Sequence, residues 1–447
     1  MNKMKIKSFE VSGLFDTDNV LIPFNDDGIK ILIGENGSGK TQILNLFYYF
    51  VTANFFRLSD FKFSKLKVCF SNDETIEISK SQIDETIKPI YENPDIKTYI
   101  NEFGISQFEM LRNKFLNDRN NWDKYIDRYD YSRKYPIRRL FRIFEELETR
   151  NSFTTSFENI KKEITKTFDG IDILYFPTYR RVEEELYHLG YDEDELNFDS
   201  ENTLIQFGME DVKKRFKYTQ AAINELLKEG LAQFTKDILN IVTDDISDSS
   251  DKLLDKINES DIDIILSRVG ALLPNNQKDA VKNIVAKKEI KNSLHVYLLQ
   301  KLIDIYEKQK ELDKAIKDFR NACNTYLTGK EVFYDESAIK IYIKSKKTDS
   351  EIDLKHLSSG EKQIISMFSK VYLSEQNKRF YILFDEPELS LSMLWQKTLL
   401  PNILKSKKCD FLLAVTHSPF IFDNELDKYA VGLNEYIKPF ELKNNAY

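Results

Sequence analysis

Residues 34–41 read GENGSGKT, and this motif is the strongest indication of the fold class of the chain. It follows the apolar run IKILI at residues 29–33 and fits the phosphate-loop pattern GxxxxGK followed by Ser or Thr, so a strand should enter the loop and a helix should leave it. Glycine lets successive backbone N–H groups turn inward around phosphate oxygens at a helix N-terminus. Lys40 adds positive charge near the β- and γ-phosphates of ATP, and Thr41 offers a hydroxyl to Mg²⁺. The predicted nucleotide-binding residues of this loop are Gly34, Glu35, Asn36, Gly37, Ser38, Gly39, Lys40 and Thr41.

Two later apolar runs end in residues suited to phosphate chemistry. The run FYILFDEP at residues 380–387 is typical of a buried parallel strand whose carboxylates emerge at its C-terminal end. Ligands of open α/β sheets gather at that edge, so we expect Asp385 to bind Mg²⁺ together with the loop threonine and Glu386 to act as general base. The run at residues 411–415 delivers His417 to the same edge. His417 is a candidate catalytic residue that senses the γ-phosphate, the alternative being an ordinary core histidine.

The segment LSSGEKQ at residues 357–363 completes a set of four motifs. In this order they resemble the ABC-class ATPases, with GENGSGKT as Walker A, LSSGEKQ as signature, ILFDEPE as Walker B and THS carrying the switch histidine. The resemblance implies that the signature contacts the γ-phosphate held by a second copy, which predicts a head-to-tail ATP-sandwich dimer. Ser359 stands where the family usually has glycine. The predicted nucleotide-binding residues of the signature are Ser358, Ser359, Gly360 and Glu361.

Composition limits the alternatives. The chain has 447 residues, 41% of them hydrophobic, which supports one large or two ordinary domains. A formal charge of −8 argues against an indiscriminate polyanion binder, and nucleic-acid contact is neither required nor excluded. The three cysteines are far apart, and no apolar run is long enough for a membrane helix. We therefore expect a reduced, cytoplasmic protein without a membrane partner.

The predicted fold class is α/β, a P-loop NTPase of ABC-ATPase type with a mixed sheet and a large helical or coiled-coil insertion. The segment between Walker A and the signature is far longer than a transporter ATPase needs. The predicted units are an N-terminal part of the ATPase lobe at 1–80, a helical insertion at 81–170, a return strand and Arg-rich loop at 171–204, a helical or coiled-coil insertion at 205–330 and the C-terminal part of the lobe at 331–447.

A heptad pattern marks the second insertion. Apolar residues recur at alternating spacings of four and three from Leu298 to Tyr326, broken only by Gln309, and predict a helix over about residues 293–327. Residues 211–242 offer a second long amphipathic helix. Together they predict an antiparallel helical arm, with a compact helical domain on the lobe as the alternative.

The stretch YFPTYRRVEEE at residues 175–185 indicates a smaller group within the ABC-class ATPases. With LSSGEKQ and ILFDEPELSLS it resembles the ATPase subunits of bacterial anti-phage systems, notably PARIS and Septu with its retron relatives. The resemblance implies a sensor or scaffold subunit that controls a separate TOPRIM or HNH nuclease encoded nearby and responds to a phage-encoded trigger. Arg180 or Arg181 could contact phosphate or a second subunit, the alternative being a salt-bridged helix start.

Related SMC-type and OLD-type ATPases share much of this pattern, so an SMC-like or recombination-repair-like DNA-binding ATPase is the competing hypothesis. Only a short tail follows His417, and four histidines show no HNH-like cluster, so no nuclease activity is expected in this chain. A basic and aromatic cluster at residues 128–142 could contact nucleic acid, although interleaved acidic residues also fit a solvated helix face. Higher oligomers could form through the helical insertion.

Overall fold

The structure of the protein is a computed structural model that describes residues 5–35, 37–103, 108, 142, 155–177, 209–243, 259–269, 278–279, 281–283 and 293–440. Asn36, the Arg180 and Arg181 pair, and residues 128–141 of the basic cluster lie outside the described residues. None of the helices in the described ranges combines the length and the hydropathy needed to span a bilayer.

The strands are β1 (Ile6–Leu14), β2 (Asp18–Pro23), β3 (Ile29–Ile33), β4 (Lys65–Phe70), β5 (Thr75–Ser79), β6 (Ile171–Phe176), β7 (Lys330–Asp335), β8 (Lys340–Ser345), β9 (Glu351–Ile352), β10 (Arg379–Asp385), β11 (Cys409–Thr416), β12 (Ala430–Gly432) and β13 (Ile437–Pro439). The α-helices are α1 (Lys40–Val51), α2 (Phe55–Ser59), α3 (Lys80–Glu92), α4 (Pro94–Phe103), α5 (Thr155–Thr167), α6 (Met209–Thr243), α7 (Glu259–Val269), α8 (Ser293–Asn324), α9 (Ser359–Tyr372) and α10 (Met393–Lys405). Short 3₁₀ helices occur at Leu354–His356, Pro419–Ile421, Asp427–Tyr429 and Leu433–Tyr436.

A five-stranded parallel sheet in the order β12-β3-β11-β10-β6 forms the centre of the nucleotide lobe. The two strands β10 and β11 carry continuous apolar runs because both faces of the sheet are covered. Leu383 and Leu413 belong to a core that includes α1, whereas their neighbours Ile382 and Leu412 belong to a second core that includes α9. The register aligns the ends of β3, β10 and β11, so the residues that follow these strands meet at one edge of the sheet.

Parallel and antiparallel strands occupy separate sheets. The second five-stranded sheet, in the order β13-β2-β1-β4-β5, is antiparallel, and a small antiparallel sheet joins β7, β8 and β9. The larger antiparallel sheet packs on α1, where the rings of Phe9 and Phe47 meet edge to face at 5.1 Å between centroids. The hairpin of β4 and β5 turns at Asp73, whose φ is 63°. The predicted α/β P-loop fold with a large helical insertion is confirmed.

Two long helices, α6 and α8, form the main part of the insertion. Their contacts run in opposite directions along the chain, because Phe216 packs on Phe319, Gly230 lies close to Ile305, and Asp237 pairs with Lys301. An added Cβ at Gly230 would stand 2.7 Å from the Ile305 side chain, so glycine permits this close approach. The predicted antiparallel pairing of the two helices is therefore present.

The polar break in the heptad pattern has a structural partner. Gln309 is 1% exposed, and its side-chain oxygen accepts a hydrogen bond from Arg268 of α7 at 2.5 Å. The same guanidinium pairs with Asp313 of α8 at 2.7 Å. Gln309 is therefore part of a buried polar cluster between α7, α8 and β7.

Candidate nucleotide site

The loop after β3 has the backbone form expected of a phosphate cradle, and it lies at the start of α1. Gly37 and Gly39 have φ angles of 83° and 84°, which place both in the left-handed region that favours glycine. A Cβ on Gly34 would stand 2.6 Å from the Ser38 hydroxyl oxygen, so a side chain here would require the Ser38 side chain to move. Gly39 is the N-cap of α1 and provides no side-chain cap, which leaves the first N–H groups of the helix without such a partner.

Lys40 and Thr41 begin α1 inside this cradle. The Lys40 side chain is buried, and its Nζ donates to the carbonyl oxygens of Gly34 at 2.7 Å and Glu35 at 2.8 Å. The Thr41 hydroxyl donates to Asp385 Oδ1 at 2.9 Å. The fold thus brings together the loop lysine, the loop threonine and the β10 carboxylate, as the motifs predict.

The donor set fits Mg²⁺. Thr41 supplies a hydroxyl oxygen and Asp385 a carboxylate oxygen, which are the hard ligands that Mg²⁺ prefers in nucleotide sites. Asp385 is 3% exposed, so a cation beside it would offset the cost of burying a carboxylate.

Glu386 and His417 also meet at this edge of the parallel sheet. Glu386 follows β10 with a φ of 47°, and its backbone N–H donates to Val415 O at 2.9 Å. A left-handed glutamate is uncommon, and such strain is concentrated at functional sites. Glu386 Oε1 lies 3.8 Å from His417 Nδ1, so the two predicted catalytic side chains are neighbours beyond hydrogen-bond distance.

Two residues of this region were missed by the sequence analysis. Glu388 is 4% exposed and accepts hydrogen bonds from the loop that carries His417. Tyr175 of β6 donates to Asn45 Oδ1 at 2.8 Å, and burial, followed by the charge of Asp385, raises the pKa of the tyrosine. A carboxylate next to a buried strand end was the available signal for Glu388, whereas nothing local marks Tyr175.

Residues 358–361, here called the signature corner, form the start of α9. Ser358 Oγ accepts from the Glu361 N–H at 3.4 Å, and Glu361 Oε2 accepts from the Ser358 N–H at 2.7 Å, which forms a capping box. Lys330 Nζ also lies 2.8 Å from Glu361 Oε2. A Cβ on Gly360 would stand 2.6 Å from Ser390 O, so the corner packs tightly on the loop after β10. The Glu361 carboxylate therefore serves its own helix start, while Ser358 is exposed at the surface.

A family model described as "AAA ATPase domain" matches residues 4–422. The chain belongs to this family. The match to the AAA ATPase domain family includes the phosphate cradle, the signature corner, the β10 carboxylates and His417, as well as the described helices between them. It identifies the chain as a P-loop ATPase.

Three solved structures share a low level of similarity with this AAA ATPase domain protein. The Smc head domain with an extended coiled coil bound to the C-terminal domain of ScpA, from Pyrococcus furiosus, is 12% identical, with a TM-score of 0.37 and coverage of 94% of this chain and 91% of that one. The SmcHead bound to the C-winged helix domain of ScpA is 12% identical, with a TM-score of 0.36 and coverage of 93% of this chain and 90% of that one. The Smc head domain with a coiled coil and joint from Pyrococcus yayanosii is 15% identical, with a TM-score of 0.32 and coverage of 94% of this chain and 93% of that one.

At these TM-scores the structural likeness carries no argument about the activity or the partners of this chain. A comparison with curated proteins found no match. The family and the geometry of the site are therefore the two observations that bear on function.

Proposed function

We propose that this chain is a Mg²⁺-dependent ATPase whose two copies close head to tail around ATP, and that it is the sensor and scaffold subunit of a bacterial anti-phage complex. The observation that carries the enzymatic part is the 2.9 Å hydrogen bond between Thr41 and Asp385 beside the buried Lys40. It joins two motifs that are far apart in sequence at one edge of the parallel sheet, which is where a phosphate-binding site with a metal ion is expected.

The site residues divide the work of phosphoryl transfer. The cradle N–H groups and Lys40 bind the β- and γ-phosphates, and Thr41 and Asp385 would hold Mg²⁺, which when bound would offset negative charge on the phosphates. Glu386 takes the proton of the attacking water. Its carboxylate directly follows β10, and its Oε1 lies 3.8 Å from His417 Nδ1, too far for a hydrogen bond to that ring. His417 contacts the γ-phosphate and distinguishes the state before hydrolysis from the state after it.

The dimer proposal is supported by the placement of two helices. Helix α1, which begins at the cradle, belongs to the core on one face of the parallel sheet, and α9, which begins at the signature corner, belongs to the core on the other face. Ser358 is exposed at the start of α9. In the proposed dimer, Ser358, Ser359 and Gly360 of each copy complete the site of the other copy, and ATP hydrolysis reopens the interface.

The Glu386→Gln variant tests the enzymatic part. It should bind ATP with Mg²⁺ but hydrolyse it at least about 100-fold more slowly, since general base catalysis contributes about 10²–10⁴-fold. The trapped variant should elute as a dimer with ATP and as a smaller species without it, measured by light scattering. Lys40→Ala should lose ATP binding, and Glu375→Gln, at an exposed glutamate, is the matched control. A Glu386→Gln protein that binds ATP and stays monomeric would refute the shared site.

The anti-phage role is supported by the resemblance of residues 175–185, the signature and the Walker B stretch to the ATPase subunits of PARIS and Septu. In the proposed complex the chain acts in the cytoplasm, a phage-encoded component is the trigger, and a separate TOPRIM or HNH nuclease is the effector. The helical insertion then transmits the nucleotide state to that nuclease and leads to abortive infection.

The defence role is tested by phage plating and by copurification. Cells that carry the native gene neighbourhood should resist phage, and Lys40→Ala and Glu386→Ala should each abolish the resistance. The tagged chain should copurify with a nuclease encoded nearby. Unchanged protection by both variants would exclude an ATP-dependent defence role and leave the ATPase proposal intact.

A DNA-binding ATPase of the SMC or recombination-repair type is the second candidate. The observation that favours it is the antiparallel pairing of α6 and α8 in a long helical insertion. This candidate requires DNA binding that weakens steeply with salt and ATP turnover that DNA stimulates. Turnover that is unchanged by duplex DNA at low salt would exclude it.

A further inference from the structure

A second glutamate of the loop after β10, Glu388, contacts the end of β11 and His417, which follows it. Glu388 Oε1 accepts hydrogen bonds from the Thr416 hydroxyl at 2.8 Å and from the His417 backbone N–H at 3.0 Å. The same oxygen lies 3.1 Å from His417 Nδ1, within hydrogen-bond distance. One carboxylate oxygen thus contacts both the backbone and the ring of His417.

The position of Glu388 is fixed by neighbouring elements. Gln396 of α10 donates through Nε2 to Leu391 O at 2.9 Å and to Glu388 O at 3.4 Å. The Ser418 hydroxyl donates to Gln396 Oε1 at 2.6 Å. These bonds join the loop after β10, helix α10 and the loop after β11, so the geometry around His417 is built into the fold.

The other carboxylate oxygen of Glu388 is an exception among buried polar groups. Glu388 is only 4% exposed, and within the described part of the chain its buried Oε2 has no hydrogen-bond partner. Leaving a buried carboxylate oxygen unsatisfied costs folding free energy, and such groups call for an explanation other than stability.

We propose that Glu388 is the positioning residue of His417. It holds the ring through the 3.1 Å contact between its Oε1 and Nδ1 and leaves Nε2 to face the γ-phosphate, and this inference rests on the role proposed above for His417. Glu386 Oε1 is 3.8 Å from the same Nδ1, whereas Glu388 Oε1 is 3.1 Å away. By satisfying Nδ1, Glu388 also keeps the histidine from pairing with the general base.

A double-mutant cycle on ATP hydrolysis tests the positioning role. Glu388→Ala should lower kcat by about 10–100-fold, the usual cost of removing a group that orients a site residue, and should change the KM for ATP by less than about threefold. In a His417→Ala background the same substitution should lower kcat by less than about twofold, because its effect passes through the histidine. An equal loss in both backgrounds would overturn the proposal.

Two conservative variants separate positioning from charge and decide the matter even if Glu388→Ala folds poorly. Glu388→Gln keeps an acceptor oxygen at the same reach and should restore most of kcat. Glu388→Asp keeps the charge but withdraws the acceptor by one methylene, about 1.5 Å, and should be as impaired as the alanine variant. Normal turnover by the aspartate variant together with an inactive glutamine variant would overturn the proposal, since charge alone would then be required.

The His417→Ala variant by itself distinguishes failure of this inference from failure of the proposed function. If it keeps wild-type kcat, the role proposed for His417 is wrong, and the positioning role of Glu388 is wrong with it. If it loses turnover while Glu388→Ala does not, only the positioning role is wrong. Single-turnover measurements with labelled ATP and Mg²⁺ extend the range for the slowest variants.

Discussion

Replacing Arg268 with alanine tests the buried polar cluster of the helical insertion. The side chains of Arg268 and Asp313 are 1% and 2% exposed, and the guanidinium also donates to Gln309, to Glu336 O at 2.8 Å and to the Tyr334 hydroxyl at 3.1 Å. Removing one partner of a buried ion pair costs about 3–5 kcal/mol of unfolding free energy, because it leaves an uncompensated buried charge.

The lower end of that range is expected here. Burial, followed by the charge of Asp313, raises the pKa of Tyr334, so the phenol stays protonated and continues to donate to Asp313 in the variant. Asp313 Oδ2 already has no partner within the described residues. One donor therefore remains for the orphaned carboxylate, and the predicted loss is about 3 kcal/mol.

Urea unfolding followed by circular dichroism measures this loss. Hydrogen exchange in α7 and α8 detects it even if these helices open separately from the lobe. Arg320→Ala is the matched control, because this arginine of α8 is hydrogen-bonded to its neighbour Asn321 at the surface, and its loss should change stability by less than about 0.5 kcal/mol. Replacing Arg268 with Met and Asp313 with Leu together should recover most of the stability. An Arg268→Ala protein as stable as the control would refute the reasoning.

Three further substitutions probe the nucleotide site and its supports. Thr41→Val removes the hydroxyl that lies 2.9 Å from Asp385, so kcat/KM for ATP with Mg²⁺ should fall by about 10–100-fold. Gly360→Ala places a methyl group 2.6 Å from a backbone oxygen, so the signature corner must shift, at a cost of about 1–3 kcal/mol in unfolding free energy and with weaker ATP-dependent dimerisation. Lys330→Met removes the 2.8 Å partner of Glu361 at a partly exposed site, so stability should fall by less than about 1 kcal/mol while dimerisation weakens.

The controls for these variants come from the same elements. Thr41→Ser keeps the hydroxyl and should keep turnover, and equal activity of the valine variant would count against a metal-ligand role. Lys340→Met removes an exposed pair with Glu351 on the neighbouring strand and should leave dimerisation unchanged. Wild-type dimerisation in both the Gly360→Ala and Lys330→Met variants would show that the corner does not face the second copy.

Local patterns predicted the elements well because few neighbours determine them. The strand expected at residues 29–33 is β3 (Ile29–Ile33), and the expected helix over residues 211–242 is found as α6 (Met209–Thr243). The expected helix over residues 293–327 is α8 (Ser293–Asn324). The predicted unit boundaries stay predictions, since the arrangement of elements does not by itself divide the chain.

The glycine loop at residues 34–39, the buried strands and the acidic residues after β10 could be predicted from the sequence, because glycine freedom, hydrophobic periodicity and strand polarity act over a few residues. The sequence also showed that Gln309 interrupts an apolar pattern. The hydrogen bond from Arg268 to the Gln309 side-chain oxygen and the contact of Glu388 with His417 became visible only in the folded chain. These pairings depend on how helices and strand ends pack, and a polar residue carries no local sign of the distant partner that will satisfy it.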